Sequence, residues 1–497
     1  MIPSPRQVQE AKGIFSFNQS TCILDSSDSV SSQCLVRHLR DRLQQLTKIG
    51  TSVPDRASGA CGPIVLELLD QSAHGPEDYE LRVSAEEVKI TGTYAGVLYG
   101  IETLCQLIRR EGDAWYWPCQ TLQDGPVMPW RSLMLDCSRH FLSKEFLLCC
   151  IDLMPRLKLN RLHLHLNDDQ GWRIQIDSYP DLTRLGAFVE TEGFYTKDDL
   201  REIVSYAEKR NIIVVPEIEI PGHSYAVVNS YPWLCCSGSP IRNPGHQKDI
   251  YCAGKESTFE FLQAVLKEVI DIFPSPYIHI GGDEAPKERW RQCAACQARI
   301  RDEKLEDEEN LQAYMIQRCA LYLESHGRRI IGWEEILDGN PSSSAIVHWW
   351  RHVQHGEQGI RAALSRGHSV ISSPNSFCYL SFAVTPDKNF QPPRTSDLPK
   401  VYSAELVPRD LSAEQRKHFL GAECCVWTEY LTEDDIFSML FPRILAVAEL
   451  MWRSPETRHY ESFQTEVFDM ENYWNCAGVI YGPYIANKTR PNNPIYA

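Results

Sequence analysis

Nowhere in its 497 residues does the chain hold a run approaching the roughly eighteen consecutive apolar positions of a membrane-spanning helix. Positive charge is in deficit as well. Fifty Lys and Arg stand against 66 Asp and Glu, a net charge of −16, which opposes binding to phosphate backbones and to anionic membrane surfaces. Nucleic acid and membrane are therefore not expected partners. The amino terminus, MIPSPRQVQEAKG, lacks a basic start followed by an apolar run. The expected location is cytoplasmic, or else the chain is the mature form of an exported protein with its leader removed. Cysteine, by contrast, is plentiful, at eighteen. The vicinal pairs Cys149-Cys150, Cys235-Cys236 and Cys424-Cys425 sit in apolar segments, which suggests buried thiols in a reducing compartment rather than disulfides. Asn18-Gln19-Ser20 and Asn487-Lys488-Thr489 are glycosylation acceptors only if the protein is secreted.

A chain of this length predicts a large domain and a smaller one, since single cores stop growing near roughly 250–300 residues. Strands are expected at 63–70, 78–84 and 86–92, followed by a helix from 95 to 109 in which Val97, Leu98, Ile101, Leu104, Cys105 and Ile108 recur at helical spacing. Gly125, Pro126 and Pro129 then punctuate the chain. Beyond them short apolar runs alternate with helical patterns. The runs begin at 131, 161, 212, 277, 329, 345, 368 and 421, and the helices span 143–157, 197–210, 257–272, 308–325, 357–364 and 433–452. Thr196, with Asp199 three residues on, marks one helix start. Eight such strands, covered on both faces, predict the α/β class: a (β/α)8 TIM barrel preceded by a small α+β domain. The division expected is 1–125 for the small domain and 126–497 for the barrel with a C-terminal extension. A doubly wound sheet is the alternative fold. Three long segments, 224–256, 285–307 and 374–419, follow strands, and the last holds Pro386, Pro392, Pro393 and Pro399. Such loops form the active-site rim of a barrel.

Polar and aromatic residues gather at the expected strand ends: Asp136, Arg139, His163, His165, Asp168, Asp169, Glu217, Glu219, His223, Asp283, Glu284, Trp333, Trp350, Trp427 and Glu429. Any one could be structural; their recurrence at successive strand ends points to a site. Trp333, Trp350 and Trp427 suit the C–H faces of sugars and flat amide groups. Trp349, next to Trp350, is assigned to the core, because neighbours on a strand face opposite ways. Asp283-Glu284 poses a puzzle for the same reason: adjacent strand residues cannot flank one bond. His163 and His165 share a face and could form a metal pair with His223 or Asp283, or be oriented by the flanking acids. Cys293 and Cys296 form a lone Cys-x-x-Cys, with only Cys319 following within reach.

The stretches HIGGDE (279–284), HLHLNDDQGWR (163–173), EIEIPGH (217–223), DCSRHF (136–141) and VWTEY (426–430) together resemble family 20 glycoside hydrolases, the β-N-acetylhexosaminidases. The resemblance runs from about 78 to 453, in family order. It implies a retaining exo-enzyme that removes terminal β-linked N-acetylglucosamine or N-acetylgalactosamine from glycans or glycoconjugates. In this family the substrate's own 2-acetamido group replaces an enzyme nucleophile. Glu284 is then the general acid and base, and Asp283 orients the acetamido N–H and steadies an oxazolinium intermediate. His223 and Asp168 form a relay behind Glu284, with His165 supporting that wall. Arg139 would hold O3 and O4, Glu429 would accept from O4 or O6, and Tyr379 would donate to the acetamido carbonyl. Trp333, Trp350 and Trp427 would enclose its methyl group and the sugar face. No cofactor and no metal is implied, and a homo-oligomer is compatible with the reading.

Two departures stand out. Ser381 replaces the aspartate common after Tyr-Leu, and Glu219 replaces an aspartate, adding a methylene next to Asp283. The alternatives are a metal-dependent barrel hydrolase built on His163 and His165, and a sugar-binding protein without activity; the intact Asp283-Glu284 pair argues against the second.

Overall fold

The computed structural model describes residues 1–25, 29–50, 62–70, 75–188, 192–241, 248–384 and 395–482. The Asn487 sequon and Pro386, Pro392 and Pro393 lie outside these residues. Among the described residues no helix is long and apolar enough to cross a membrane.

The first part of the chain forms a seven-stranded sheet. Its order is Gln7–Phe17, Ala114–Asp124, Tyr79–Val83, Val88–Gly92, Pro63–Leu68, Cys22–Asp25, with Arg109–Glu111 paired beside Ala114–Asp124. Alternation along Tyr79–Val83 buries Tyr79, Leu81 and Val83 on one face, against helices Val30–Thr47 and Tyr94–Leu107. Thr93 caps the second helix by accepting from Gly96 N–H. The stretch before residue 78, which the resemblance does not reach, holds an 11-residue strand and an 18-residue helix.

Eight parallel strands then close a barrel: Trp130–Asp136, Arg161–His165, Ile213–Glu217, Tyr277–His279, Arg329–Trp333, Ile346–Trp349, Ser369–Ser372 and Phe419–Val426. Each expected barrel strand is present within a few residues of its place. The capping box at Thr196 and Asp199 is also formed. The helix expected over 433–452 is two helices, Glu433–Leu440 and Arg443–Trp452. Pro442 separates them, because a proline ring has no N–H to give and clashes with the preceding turn. The three long segments are not structureless; among their short helices are Tyr225–Ser230, Ala294–Asp302 and Leu398–Tyr402.

The barrel interior is layered. Trp130, Val215, Ile331, Ile346 and Ile371 make an apolar floor. Met134, Trp333, Trp350, Tyr379 and Cys425 make an aromatic layer at the mouth, with Phe382 and Trp427 against it. Buried ion pairs join the barrel to the sheet: Lys158 Nζ lies 2.8 Å from Asp124 Oδ2 with both side chains fully buried, and Arg131 grips Glu77 through two nitrogens at 2.8 and 2.9 Å. Trp452, from the last barrel helix, packs in the sheet's own core and donates to Asp124 Oδ1 at 2.9 Å.

All 17 described cysteines are free thiols. The expectation that the vicinal pairs are buried holds for Cys424-Cys425, but Cys149 is exposed and Cys236 half-buried. In a helix, residue 149 points away from the face that buries Cys150.

Candidate active site

Strand register sets the middle layer. Glu217 is level with His165 on one side and His279 on the other, and His165 is level with Asp136. Period-two alternation sends His163 and His165 into the barrel, where Glu217 meets both: His163 Nε2 at 3.2 Å, and His165 Nδ1 in a short hydrogen bond. Glu217 also accepts from Trp333 Nε1 at 2.8 Å and lies 2.7 Å from His279 Nδ1. Glu423 holds His163 Nδ1 at 2.9 Å and accepts from Ser132 Oγ at 2.6 Å. Burial opposes charge on His163, yet Glu423 and Glu217 push its pKa up to about 10; for His165, Glu217 and Asp168 overcome the same penalty and push it up to about 9. Burial holds His348 down at about 3. The layer thus pairs two imidazolium ions with two carboxylates, a balance that makes buried charge tolerable. The histidines of the metal alternative therefore have carboxylate partners, which orient them.

Above this layer stand the paired acids, beyond the end of strand Tyr277–His279. Gly281 and Gly282 take positive φ of 64° and 100°, and Glu284 itself has φ 46°. The left-handed turn at Glu284 breaks the strand alternation, so both carboxyls reach one partner. His223 Nε2 lies 3.6 Å from Asp283 Oδ2 and 3.7 Å from Glu284 Oε2. His223 has φ 46° as well; its other nitrogen, Nδ1, sits 3.1 Å from Asp168 Oδ1. Asp168 in turn pairs with Arg139 at 2.6 Å and with His165 Nε2 at 3.0 Å, and Arg139 reaches Asp136 at 3.2 Å. The chain of contacts runs unbroken from Asp283 and Glu284 through His223 and Asp168 to Arg139.

The electrostatics separate the two acids. Asp283 is buried, its side chain 12% exposed, whereas Glu284 is 56% exposed. Desolvation therefore falls on Asp283 and not on its neighbour. Burial pushes Asp283 up to about 6; the His223 imidazolium opposes the rise and Glu284 adds to it. Burial also disfavours charge on His223, but Asp168 and Asp283 hold it well above the ordinary histidine value. Arg139 and His223 outweigh burial at Asp168 and bring it well below the usual carboxylate range.

The aromatic wall is on the barrel side of these acids. Trp350 and Tyr379 stack with planes 8° apart and centroids 6.3 Å apart, and Trp427 stands 5.9 Å from Tyr379 and 6.0 Å from Trp333. Arg139 lies over the Trp427 ring at 5.0 Å and His165 meets its edge at 5.2 Å. Trp349 faces away, into the barrel-helix core, as alternation requires. Glu429 is exposed at the rim. Next to the wall, Gly282, Glu284, Lys287, Glu335, Trp350 and Arg351 line part of a cavity of about 380 Å³.

Residues 128–455 match the family described as glycosyl hydrolase family 20, catalytic domain, and residues 1–125 match domain 2 of the same family. The chain belongs to glycosyl hydrolase family 20. It is 36% identical over 484 residues to a beta-hexosaminidase of Porphyromonas gingivalis, covering 93% of this chain but spanning only 62% of that relative's length. It is 32% identical over 481 residues to a beta-hexosaminidase of Vibrio furnissii, covering 90% of this chain and 76% of that one. Among solved structures, the beta-N-acetylhexosaminidase of Bacteroides fragilis superposes with TM-score 0.88 at 33% identity, over 98% of this chain and 97% of that one. An exo beta-N-acetylglucosaminidase of Vibrio harveyi, in complex with N-acetylglucosamine, superposes with TM-score 0.87 at 28% identity, over 97% and 78%. The expected class, a glycoside hydrolase, is the one found.

Within this family 20 chain, all but one of the expected site residues join the contact network or the aromatic wall, and Glu429 stands at the rim. Three others were not singled out. Glu335 accepts from Trp350 Nε1 at 3.1 Å, and burial together with Asp283 pushes it up to about 8; its place two residues after Trp333 was the available signal. Glu423 and His348 belong to the middle layer, and each is a polar residue inside an otherwise apolar strand. Glu219, one methylene longer than an aspartate, is fully buried. Its carboxyl fills the space over Gly281, where a Cβ would come within 1.7 Å of Oε2, and burial beside Asp283 and Glu217 raises its pKa well above the usual range. Cys319 is not the partner of Cys293 and Cys296. They meet Cys236 and Cys252 instead.

Proposed function

We propose that the protein is a retaining exo-β-N-acetylhexosaminidase. It releases terminal, non-reducing β-linked N-acetylglucosamine or N-acetylgalactosamine from a glycan or glycoconjugate by substrate-assisted catalysis. The observation that carries the proposal is the consecutive pair Asp283 and Glu284, both within 3.7 Å of His223 Nε2 and beside a box of Trp333, Trp350, Tyr379 and Trp427. Ordinary retaining glycosidases set a nucleophile and an acid about 5–5.5 Å apart on opposite sides of one bond. Neighbouring acids on one wall suit a different task, in which each serves a different substrate atom. The names of the relatives support the same substrate class. The proposal takes residues 1–125 as the N-terminal domain and 126–497 as the catalytic barrel with its extension.

In the first step the acetamido oxygen attacks the anomeric carbon as the bond to the leaving oxygen breaks, and Glu284 gives that oxygen its proton. Asp283, ionised, accepts from the acetamido N–H and balances the positive charge of the oxazolinium ring. In the second step water attacks the anomeric carbon, Glu284 takes the water's proton, and the ring reopens with the β configuration retained. His223, held by Asp168, faces both acids with a positive charge. Tyr379 and the tryptophans press the acetamido group into attack position, where orientation lowers the barrier.

Turnover of aryl β-N-acetylglucosaminides and β-N-acetylgalactosaminides tests the reading. The expected result is hydrolysis of these and no comparable hydrolysis of aryl β-glucosides, with strong inhibition by a thiazoline that mimics the cyclised intermediate. Equal rates on glucosides would contradict it.

A further inference from the structure

Outside the pocket, four cysteines meet where two active-site loops touch. The loop after strand Ile213–Glu217 carries His223 and then Cys236 and Cys252; the loop after Tyr277–His279 carries Asp283 and Glu284 and then Cys293 and Cys296. Their sulfurs are 3.8 Å apart for Cys236 and Cys296, 3.7 Å for Cys252 and Cys293, and 3.6 Å for Cys252 and Cys296. All four lie within 4.8 Å of one another. We propose that Cys236, Cys252, Cys293 and Cys296 bind one zinc ion as a closed tetrathiolate site that ties together the loops bearing His223 and the Asp283-Glu284 pair.

The spacing is that of a coordination shell. Zinc–sulfur bonds of about 2.3 Å in tetrahedral geometry place neighbouring sulfurs about 3.8 Å apart, whereas a disulfide needs about 2.05 Å. The backbone holds the four positions from both sides. Cys252 N–H donates to Leu234 O at 2.7 Å, and Cys235 pairs with Tyr251 in an antiparallel bridge. Trp290 Nε1 donates to Tyr251 O at 2.8 Å, which fixes the second loop to the first. Gly254 shows how closely they approach: a Cβ there would lie 2.2 Å from the Ala295 carbonyl carbon and 2.3 Å from Cys296 N. Only glycine permits that contact.

The surroundings favour thiolates. Cys293 is the residue that begins helix Ala294–Asp302, so Cys293 and Cys296 sit at its positive end. Lys255 Nζ is held 2.7 Å from Cys235 O and 2.8 Å from Trp233 O, placing a cation next to the cluster. Four soft sulfur donors select zinc over magnesium or calcium. On binding, the four thiols release their protons to solvent as zinc takes their place. With all four positions filled by protein, no site remains for water or substrate, so the ion is structural.

Metal analysis of the purified full-length protein, produced in zinc-supplemented medium, decides the matter. About one zinc per chain is expected. It should be lost in Cys293→Ser/Cys296→Ser and kept in Cys319→Ser. Protein produced with cobalt should show thiolate-to-cobalt charge-transfer bands and the intense visible bands of tetrahedral cobalt. Zinc-free wild-type protein, zinc retained in the double variant, or disulfides among the four cysteines in non-reducing peptide mapping would each overturn the proposal. Should the double variant fail to fold, wild-type metal content and the cobalt spectrum still decide. None of these readings depends on glycosidase activity.

Discussion

Asp283 and Glu284 are neighbours in sequence, yet one is buried and the other open, so their substitutions should behave differently. Glu284→Gln removes only proton transfer, and kcat should fall by about 10²–10⁴ with ligand affinity retained; near-normal kcat would remove Glu284 from its role. Asp283→Asn should also abolish most turnover while raising stability. The aspartate's pKa rises from 3.8 to about 6 on folding. The folded state therefore holds the proton more tightly, a contribution complete below the unfolded value and lost as pH rises through about 6. At neutral pH the buried charge costs about 3 kcal/mol, which the amide avoids. The variant's Tm should exceed that of the wild type at about pH 7, with the gain gone near pH 4. A neutral-pH Tm at or below wild type would contradict the burial argument. In wild type, kcat/KM should decline as pH falls through about 6, where Asp283 takes up its proton. The positions of the acid pair, His223, Asp168 and the tryptophans at one end of the barrel were readable from sequence, because motifs mark strand ends. Which acid is desolvated was not, since that depends on the left-handed turn at Glu284 and on Glu219 and Glu335 packed nearby.

The element that presents the pair is the short strand Tyr277–His279 and the two glycines after it. Gly281→Ala should cost about 1–2 kcal/mol for its positive φ alone, and more from the contact with Glu219 Oε2. The double variant Gly281→Ala/Glu219→Ala should be less destabilised than the sum of the single variants, because they share that contact. Strict additivity in thermal unfolding would show that the two do not meet. At this scale the barrel was legible, as near-continuous apolar strands alternating with amphipathic helices. The amino-terminal strand Gln7–Phe17 was not, because most of it is exposed and only Phe15 and Phe17 are buried. Pro118 likewise sits within strand Ala114–Asp124, where a proline argues against a strand. Helix Val30–Thr47 did carry a readable stripe in Leu35, Leu39 and Leu43.

Across the whole molecule, the sheet and the barrel are joined by buried charge. Asp124→Ala leaves Lys158 buried without its partner, which should cost about 3–5 kcal/mol. Calorimetry should show a single, lowered transition, since Trp452 anchors the last barrel helix in the sheet's core; two separate transitions would mean that the halves unfold independently. The proposed reaction too belongs to the assembled molecule, because relay, aromatic wall and acid pair come from different strand ends and, in that proposal, the attacking atom comes from the substrate. Fluorination of the substrate's N-acyl group tests that claim most directly, by weakening the acetamido oxygen as a nucleophile while barely changing its size. The account predicts that kcat/KM for aryl glycosides falls steeply from N-acetyl through fluoroacetyl and difluoroacetyl to trifluoroacetyl. A flat series would mean that the protein, not the sugar, supplies the nucleophile.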